Sequence, residues 1–151
     1  MKNLFASLVI LAVGLGCNKN SGPTQVLNQS PTSTNTLSDS VLYTLTIPSA
    51  TFSVADTLRG TFTIMNQSAT TRTFTSGDSP IFGWFVKNSD DSIVINHQGG
   101  VSHHTTTITI ASGKDTSFVI QTGLGDLSSR NYSLYAGLLL PPVLSLAFTV
   151  K

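Results

Sequence analysis

Residues 58–66 read LRGTFTIMN, and the alternation within this stretch decides the fold class. Leu58, Phe62 and Ile64 fall on one side of an extended chain, and the threonines between them fall on the other side. Side chains that alternate in this way indicate a strand with one buried and one exposed face. The stretch therefore predicts a half-buried β-strand and a core built from sheets.

Further runs of the same kind flank this strand and are separated by turn residues. They are 41–47, 71–75, 81–87, 92–96, 105–110, 116–121, 132–139 and 143–150. The breaks between them are rich in Gly, Asn, Asp, Ser and Pro, which favour turns. Pro141 and Pro142 cannot donate to a sheet ladder, so the last break is predicted to be a hairpin loop. Short strands at this spacing predict an all-β, immunoglobulin-like antiparallel β-sandwich of about seven to nine strands.

The composition agrees with a chain made of strands. All seven acidic residues are aspartates, so glutamate, a favoured helix former, is absent. Thr, Val, Ile and Phe, which are frequent here, suit strands instead. The formal net charge is +1 at pH 7, and the sequence has no basic stripe that could bind nucleic acid. We therefore expect no nucleic-acid partner.

The N-terminus resembles the signal peptide of a bacterial lipoprotein. Lys2 precedes the apolar run 4–16 (LFASLVILAVGLG), and Cys17, the only cysteine, follows at once. A basic start, a short apolar run and small residues before the cut are typical of secretory signal peptides. The resemblance implies cleavage after residue 16 and acyl chains on Cys17 that hold the protein to a lipid bilayer. The alternatives are a plain signal peptide or an uncleaved helix, although the run is shorter than the ~20 residues of a membrane span.

Residues 18–40 have few aliphatic side chains. Val26, Leu27 and Leu37 are too few to form a core, which predicts a disordered linker rich in Ser, Thr, Asn and Pro. The predicted organisation is a signal peptide over 1–16, the lipidated cysteine with its linker over 17–40, and the sandwich over 41–151. Asn18 is not the aspartate that marks inner-membrane retention in some sorting systems. We therefore expect an exported protein at the outer membrane or cell surface rather than the inner membrane.

Two polar clusters are candidate metal sites. His97, His103 and His104 surround a Gly-Gly turn, but adjacent strand residues point to opposite faces, so the last two cannot easily bind one ion together. Asp90 and Asp91 could offer oxygen ligands to calcium, yet they lack the spacing of an EF-hand loop. Their position suits a hairpin turn better. The sequence therefore predicts no metal ion and no cofactor.

Catalysis is not indicated either. The chain has no Gly-x-Ser-x-Gly elbow, and the absence of glutamate leaves few general acids and bases, so we expect that it is not an enzyme. Trp84 is predicted to be buried, as a tryptophan is in immunoglobulin-like sandwiches. The alternative is an outward Trp84 that anchors a partner. Phe85 must lie on the opposite face from Trp84, which indicates an interaction surface there.

Several stretches resemble the intracellular proteinase inhibitor (BsuPI) family. They are 60–68 (GTFTIMNQS), 73–77 (TFTSG), 81–82, 85–86, 93–95, 112–118 (SGKDTSF) and 131–136 (NYSLYA). The resemblance covers roughly residues 55–140 and implies an immunoglobulin-like sandwich that binds a protein partner. The family's name implies that the partner is a proteinase.

The sequence as a whole predicts a membrane-anchored lipoprotein with a protein-binding domain. An inhibitor presents an extended loop, and two loops are candidates for contact with the partner. Their residues are Ser76, Gly77, Asp78, Ser79 and Pro80 in one loop, and Gly99, Gly100, Ser102 and His103 in the other. The alternative function is a structural or adhesive module of the cell envelope without inhibitory activity. A metal-dependent hydrolase that uses His97 is a third hypothesis.

Overall fold

A computed structural model describes residues 30–77, 80–97, 105–138 and 141–151. Within these ranges the chain is all-β, with eleven strands. They are β1 (Thr32–Ser38), β2 (Val41–Ile47), β3 (Thr51–Phe52), β4 (Thr57–Asn66), β5 (Arg72–Ser76), β6 (Phe82–Asn88), β7 (Ile93–His97), β8 (Thr106–Ile110), β9 (Asp115–Gly123), β10 (Arg130–Leu138) and β11 (Val143–Val150). The described ranges hold no helix long and apolar enough to cross a membrane.

The strands form two main sheets and one small sheet. The four-stranded sheet has the order β1-β2-β4-β9, and the five-stranded sheet has the order β3-β11-β10-β6-β7. The strands β5 and β8 pair with each other alone. All described pairs are antiparallel except β3 with β11. The predicted antiparallel β-sandwich is confirmed, with eleven strands rather than seven to nine.

The core lies between the two main sheets, where the alternating apolar side chains of both meet. In β4, Leu58, Phe62 and Ile64 are completely buried, as the pattern in 58–66 predicts. On the other sheet, Leu134 and Phe148 are buried opposite them. Burying one such side chain stabilises the fold by about 1.5–3 kcal/mol relative to exposure. The interleaved faces therefore supply most of the driving force for this fold.

The domain begins by Thr32 rather than at residue 41, which corrects the predicted boundary between linker and sandwich. Thr32–Ser38 forms β1 and pairs with β2 along its whole length. Its only aliphatic side chain, Leu37, is 61% exposed. Main-chain hydrogen bonds to β2 hold this strand, and apolar burial contributes little. The low hydrophobicity of residues 32–38 therefore does not predict a strand there. Cys17 and the rest of 1–29 lie outside the described residues, and the signal peptide stays a prediction.

The two ends of the sandwich can be told apart from the register. Ser30 and Lys151 line one shallow depression together. The backbone N–H of Thr149 donates to the carbonyl of Ala50 at 2.9 Å beside it. Because β11 runs from Val143 to Val150, Val143 lies at the opposite end. We refer to these as the Ser30 end and the Val143 end.

Tyr43, in β2, should make the domain less stable in alkali. Burial raises the pKa of its phenol, the nearby Asp39 raises it further, and Arg72 opposes the shift. Since the folded-state pKa exceeds the unfolded value of 10.0, stability is complete below that pH and falls as pH rises through the folded pKa. Urea unfolding between about pH 8 and 11 should show a weaker alkaline loss in Tyr43→Phe than in the wild type. Identical pH profiles for the two proteins would contradict this assignment.

Candidate functional site

The loop predicted at 76–80 borders the Val143 end. Ser76 is the last residue of β5, and Pro80 precedes β6, whose first residue Phe82 pairs with Leu138 near the end of β10. Gly77 is exposed, whereas Ser76 and Pro80 are half-buried. Asp78 and Ser79 lie outside the described residues.

The second predicted loop follows β7, whose last residue lies at the same end. His97, the last residue of β7, pairs with Trp84 on β6. The loop's candidate residues, Gly99, Gly100, Ser102 and His103, all lie outside the described residues, so their role stays a prediction. The described boundaries of both loops nevertheless lie at the end opposite Ser30.

The described residues do not bring a metal site together. The ring of His97 packs edge-on against Trp84, with centroids 5.0 Å apart and an interplanar angle of 89°. His103 and His104 lie outside the described residues. Among the described His, Cys, Asp and Glu residues, no group of three or more is placed to hold an ion.

Asp90 and Asp91 form a hairpin turn between β6 and β7. The side-chain carbonyl of Asn88 accepts the backbone N–H groups of Asp90 and Ser92, each at 3.0 Å. The carboxylate of Asp91 accepts a hydrogen bond from Lys87 Nζ at 2.8 Å. Asp90 lies 3.4 Å from Arg130. The two carboxylates thus face two different cations, which is the geometry of a turn with local ion pairs.

Trp84 and Phe85 point to opposite faces of β6, as the sequence predicts. Trp84 is 3% exposed and belongs to the core. Phe85 is half-buried on the outer face, directly opposite Tyr135 of β10. Their rings stack with centroids 4.9 Å apart and an interplanar angle of 9°. A stacked aromatic pair of this kind contributes about 0.5–1.5 kcal/mol beyond its area burial.

Lys87 covers this aromatic pair on the side towards the Ser30 end. Its Nζ lies 5.5 Å from the ring centroid of Tyr135 and 6.0 Å from that of Phe85. The hydrogen bond that Lys87 donates to Asp91 holds the ammonium in place and raises the pKa of Lys87. Lys87 therefore stays charged, and its ammonium group lies over the two rings. A shallow depression of about 420 Å³ lies beside it, lined in part by Ser133 and Ala147.

On the side towards the Val143 end, the same outer face carries Val143 of the last hairpin, which pairs with Gly137 two residues beyond Tyr135. Val143 is 54% exposed, and Pro142 beside it is half-buried. A Cβ on Gly137, the residue opposite Val143, would lie 2.9 Å from the carbonyl oxygen of Pro142, so only glycine permits this close approach. We refer to Phe85, Tyr135, Pro142 and Val143 as the aromatic patch.

The sequence predicts that Phe85 and Tyr135 face outward, but it does not predict that they lie side by side. Phe85 was expected on the face opposite Trp84. The alternation that places Tyr132 and Leu134 inward also places Tyr135 outward. That Tyr135 lies directly against Phe85 depends on the register between β6 and β10, which only the structure supplies.

No protein-family model matches this chain, and no curated protein matches it. Among solved structures, it is similar to part of a β-glucosidase from Erythrobacter marinus, with a TM-score of 0.50 and 10% identity over 80% of this chain and 16% of that chain. A β-glucosidase from Listeria innocua gives a TM-score of 0.47 and 9% identity over 80% of this chain and 16% of that chain. A DNA glycosylase from Pseudomonas fluorescens gives a TM-score of 0.43 and 8% identity over 70% of this chain and 28% of that chain.

These similarities concern the fold alone. This chain spans only 16% of the length of each β-glucosidase. At such low identity, the match to the Erythrobacter enzyme supports a β-sandwich and carries nothing about activity. The other two matches, with lower TM-scores, carry no argument.

Proposed function

We propose that this protein is a lipoprotein of the cell envelope, anchored through Cys17, whose β-sandwich binds a protein partner. The observation that carries the proposal is the aromatic patch on the outer face of the five-stranded sheet. Proteinase inhibition is the activity implied by the resemblance to the BsuPI family, and it forms the narrower version of the proposal.

The aromatic patch has the make-up of a binding surface. Phe85 and Tyr135 lie on the face of β6 and β10 that does not contact the core, so the sandwich does not need them for its interior. Aromatic residues are enriched among those that dominate binding energy, because they bury a large area at small entropic cost. Lys87 and Asp91 form a charged rim on one side. An apolar centre with a polar rim is the usual anatomy of a protein interface.

The direction of the patch supports a partner that lies away from the anchor. A tether from Cys17 reaches the domain through Ser30, whereas Val143 and Pro142 lie at the opposite end. The described boundaries of both predicted loops also lie at that end. Partner contacts made there would not compete with the membrane surface.

Photocrosslinking of the anchored protein in envelope membranes tests the proposal. A photoreactive residue at Val143 should capture one specific protein, while the same residue at Leu37, on β1, should not. The two positions are 54% and 61% exposed, so accessibility alone does not separate them. Capture of a proteinase would favour inhibition, which stoichiometric inhibition in a panel of serine proteases would then establish. Many envelope components, or none above background, would instead favour the structural or adhesive module.

Replacing both aromatic residues of the patch should abolish capture without unfolding the domain. The double variant Phe85→Ser with Tyr135→Ser is expected to reduce the crosslinked product at Val143 at least about tenfold, since loss of a hot spot costs about 2 kcal/mol or more. Its melting temperature should fall, because the stacked pair contributes about 0.5–1.5 kcal/mol beyond its area burial, but the domain should stay folded because both side chains lie outside the core. Leu37→Ser is the matched control and should crosslink as the wild type does. Undiminished capture in the double variant would count against this surface.

A further inference from the structure

The strand β9 leaves one of its two edges without a partner in the described part of the chain. It lies at the end of the four-stranded sheet and pairs only with β4. An edge strand of this kind presents a row of backbone N–H and C=O groups that can pair with another extended chain. The chemistry of that row specifies its occupant as a second β-strand.

The edge lacks the features by which proteins usually prevent such pairing. The strand Asp115–Gly123 contains neither Lys nor Pro, and Asp115 is its only charged residue. Its register with β4 is unbroken over the whole strand, so no bulge twists the edge away. Val119, at its centre, is 74% exposed, more than any other large hydrophobic residue in the described ranges. Short strands, bulges, Lys and Pro are the usual protections.

The other edge of the same sheet is less accessible. There, β1 and β2 both pack against β11 of the facing sheet, which closes that side of the sandwich. The open edge at β9 is therefore the better candidate for association. It belongs to the sheet that does not carry the aromatic patch.

We infer that β9 pairs antiparallel with β9 of a second copy of this chain, about a two-fold axis at Val119. The two four-stranded sheets would then form one continuous sheet of eight strands. This register places Val119 against Val119 of the second copy. Each Ser117 faces Gln121 of the other copy, and each Asp115 faces Gly123.

The charge on β9 selects this arrangement. In a parallel pair in register, the two Asp115 carboxylates would lie side by side, which is unfavourable. In the antiparallel pair they lie at opposite ends, ~27 Å apart for eight residues at 3.4 Å each. A shift by two residues would place Val119 against a polar side chain and lose the apolar contact. Charge and hydrophobicity therefore agree on one register.

The association should be weak in solution. A single strand pair buries less than the ~1,200 Å² of stable interfaces, so we expect dimers at high rather than low micromolar concentration. The dimer would leave both aromatic patches accessible. Partner binding and dimerisation would therefore be independent, and each can fail without the other.

Sedimentation equilibrium of residues 17–151 with Cys17→Ser tests the inference; this chain keeps every described residue and cannot be acylated. The protein should shift from monomer to dimer between about 10 and 500 μM. Val119→Lys should stay monomeric with an unchanged circular dichroism spectrum. Leu37→Lys, on the opposite edge, should dimerise as the parent protein does. The inference would be overturned if the parent protein stayed monomeric or if Val119→Lys formed dimers. Loss of dimers in both variants would also overturn it, because that result indicates head-to-tail pairing of β1 with β9.

A cysteine at the two-fold axis provides a second, more direct test. Residues directly opposite in an antiparallel pair have Cα atoms about 4.5–5.5 Å apart, which a disulfide can bridge. Val119→Cys in the Cys17→Ser background should form disulfide-linked dimers under mild oxidation. Leu37→Cys, similarly exposed, should remain largely monomeric. Equal rates of crosslinking in both variants would overturn the two-fold register.

Discussion

Replacing Phe62 by alanine is expected to destabilise the domain by about 3–5 kcal/mol, the usual cost of removing a buried phenylalanine. Phe62 is completely buried and lies at the centre of an aromatic row that joins the two sheets. Its ring centroid is 6.2 Å from that of Tyr43 and 5.4 Å from that of Phe82. Phe82 in turn stacks on Phe118 at 4.5 Å. Alanine would leave a cavity that the neighbours from three other strands, β2, β6 and β9, cannot fill together.

Urea unfolding of Phe62→Ala beside Thr61→Ala isolates the effect of burial. Thr61 lies on the same strand but faces outward, so its replacement should cost no more than about 1 kcal/mol. In thermal melts, a loss of 3 kcal/mol corresponds to a fall in Tm of about 12 °C or more for a domain of this size. Similar losses in both variants would mean that strand propensity, and not the aromatic row, determines stability at this position.

Replacing Asn66 is expected to cost about 3 kcal/mol, which makes it the most sensitive polar position in the described residues. Asn66 is completely buried at the end of β4. Its Nδ2 donates to the carbonyls of Thr70 and Ile110, at 2.7 and 2.9 Å. Its Oδ1 accepts from the backbone N–H and the hydroxyl of Ser68, at 3.0 and 2.6 Å. Removing the side chain leaves the buried carbonyl of Ile110 and the partly buried N–H of Ser68 without these hydrogen bonds, and an unpaired buried group costs about 1–3 kcal/mol.

The isosteric change Asn66→Asp separates hydrogen bonding from shape. At neutral pH the carboxylate would direct a negative oxygen at two carbonyls, so we expect a loss at least as large as that of Asn66→Ala. Because the folded state favours the protonated acid, the pKa of this carboxyl should be raised in the folded state. The variant should therefore regain stability as pH falls through that raised pKa, and the recovery should be complete below the unfolded value of about 4. Ser68→Ala, which removes one hydroxyl from the same network, should cost about 1 kcal/mol at any pH. If the stability of Asn66→Asp did not depend on pH, the hydrogen bonds donated by the Asn66 amide would not be what stabilises this end of β4.

Sequence patterns predicted those strands that bury apolar side chains. In β4, β10 and β11 most residues at every second position are apolar, and burial follows that period. In β1, by contrast, threonines face inward, and the strand is held by its main chain against β2. The two residues of β3 pair with β11, which follows almost a hundred positions later, so no local signal marks them.

The candidate surface was predictable only residue by residue. The burial of Trp84 implies an outward Phe85, and the alternation in β10 implies an outward Tyr135. That these two rings stack requires the pairing of strands separated by more than forty residues, which single-sequence patterns do not encode. The loops proposed from the BsuPI resemblance depend on Asp78, Ser79, Gly99, Gly100, Ser102 and His103, which lie outside the described residues and remain predictions.

Because Ser30 and Lys151 lie close together, the order of the strands along the chain could be changed while their positions in the sheets stay the same. A short peptide from Lys151 to Ser30 would close the chain into a ring, because both residues line one depression. The ring could be reopened at Gly113, an exposed turn residue with a φ of 68°. That turn lies at the far end, where Gly113 bonds the carbonyl of Asn66. In such a circular permutant the new N-terminus, and any tether attached to it, would lie at the Val143 end. The orientation of the domain above a surface could therefore be inverted without replacing any core residue.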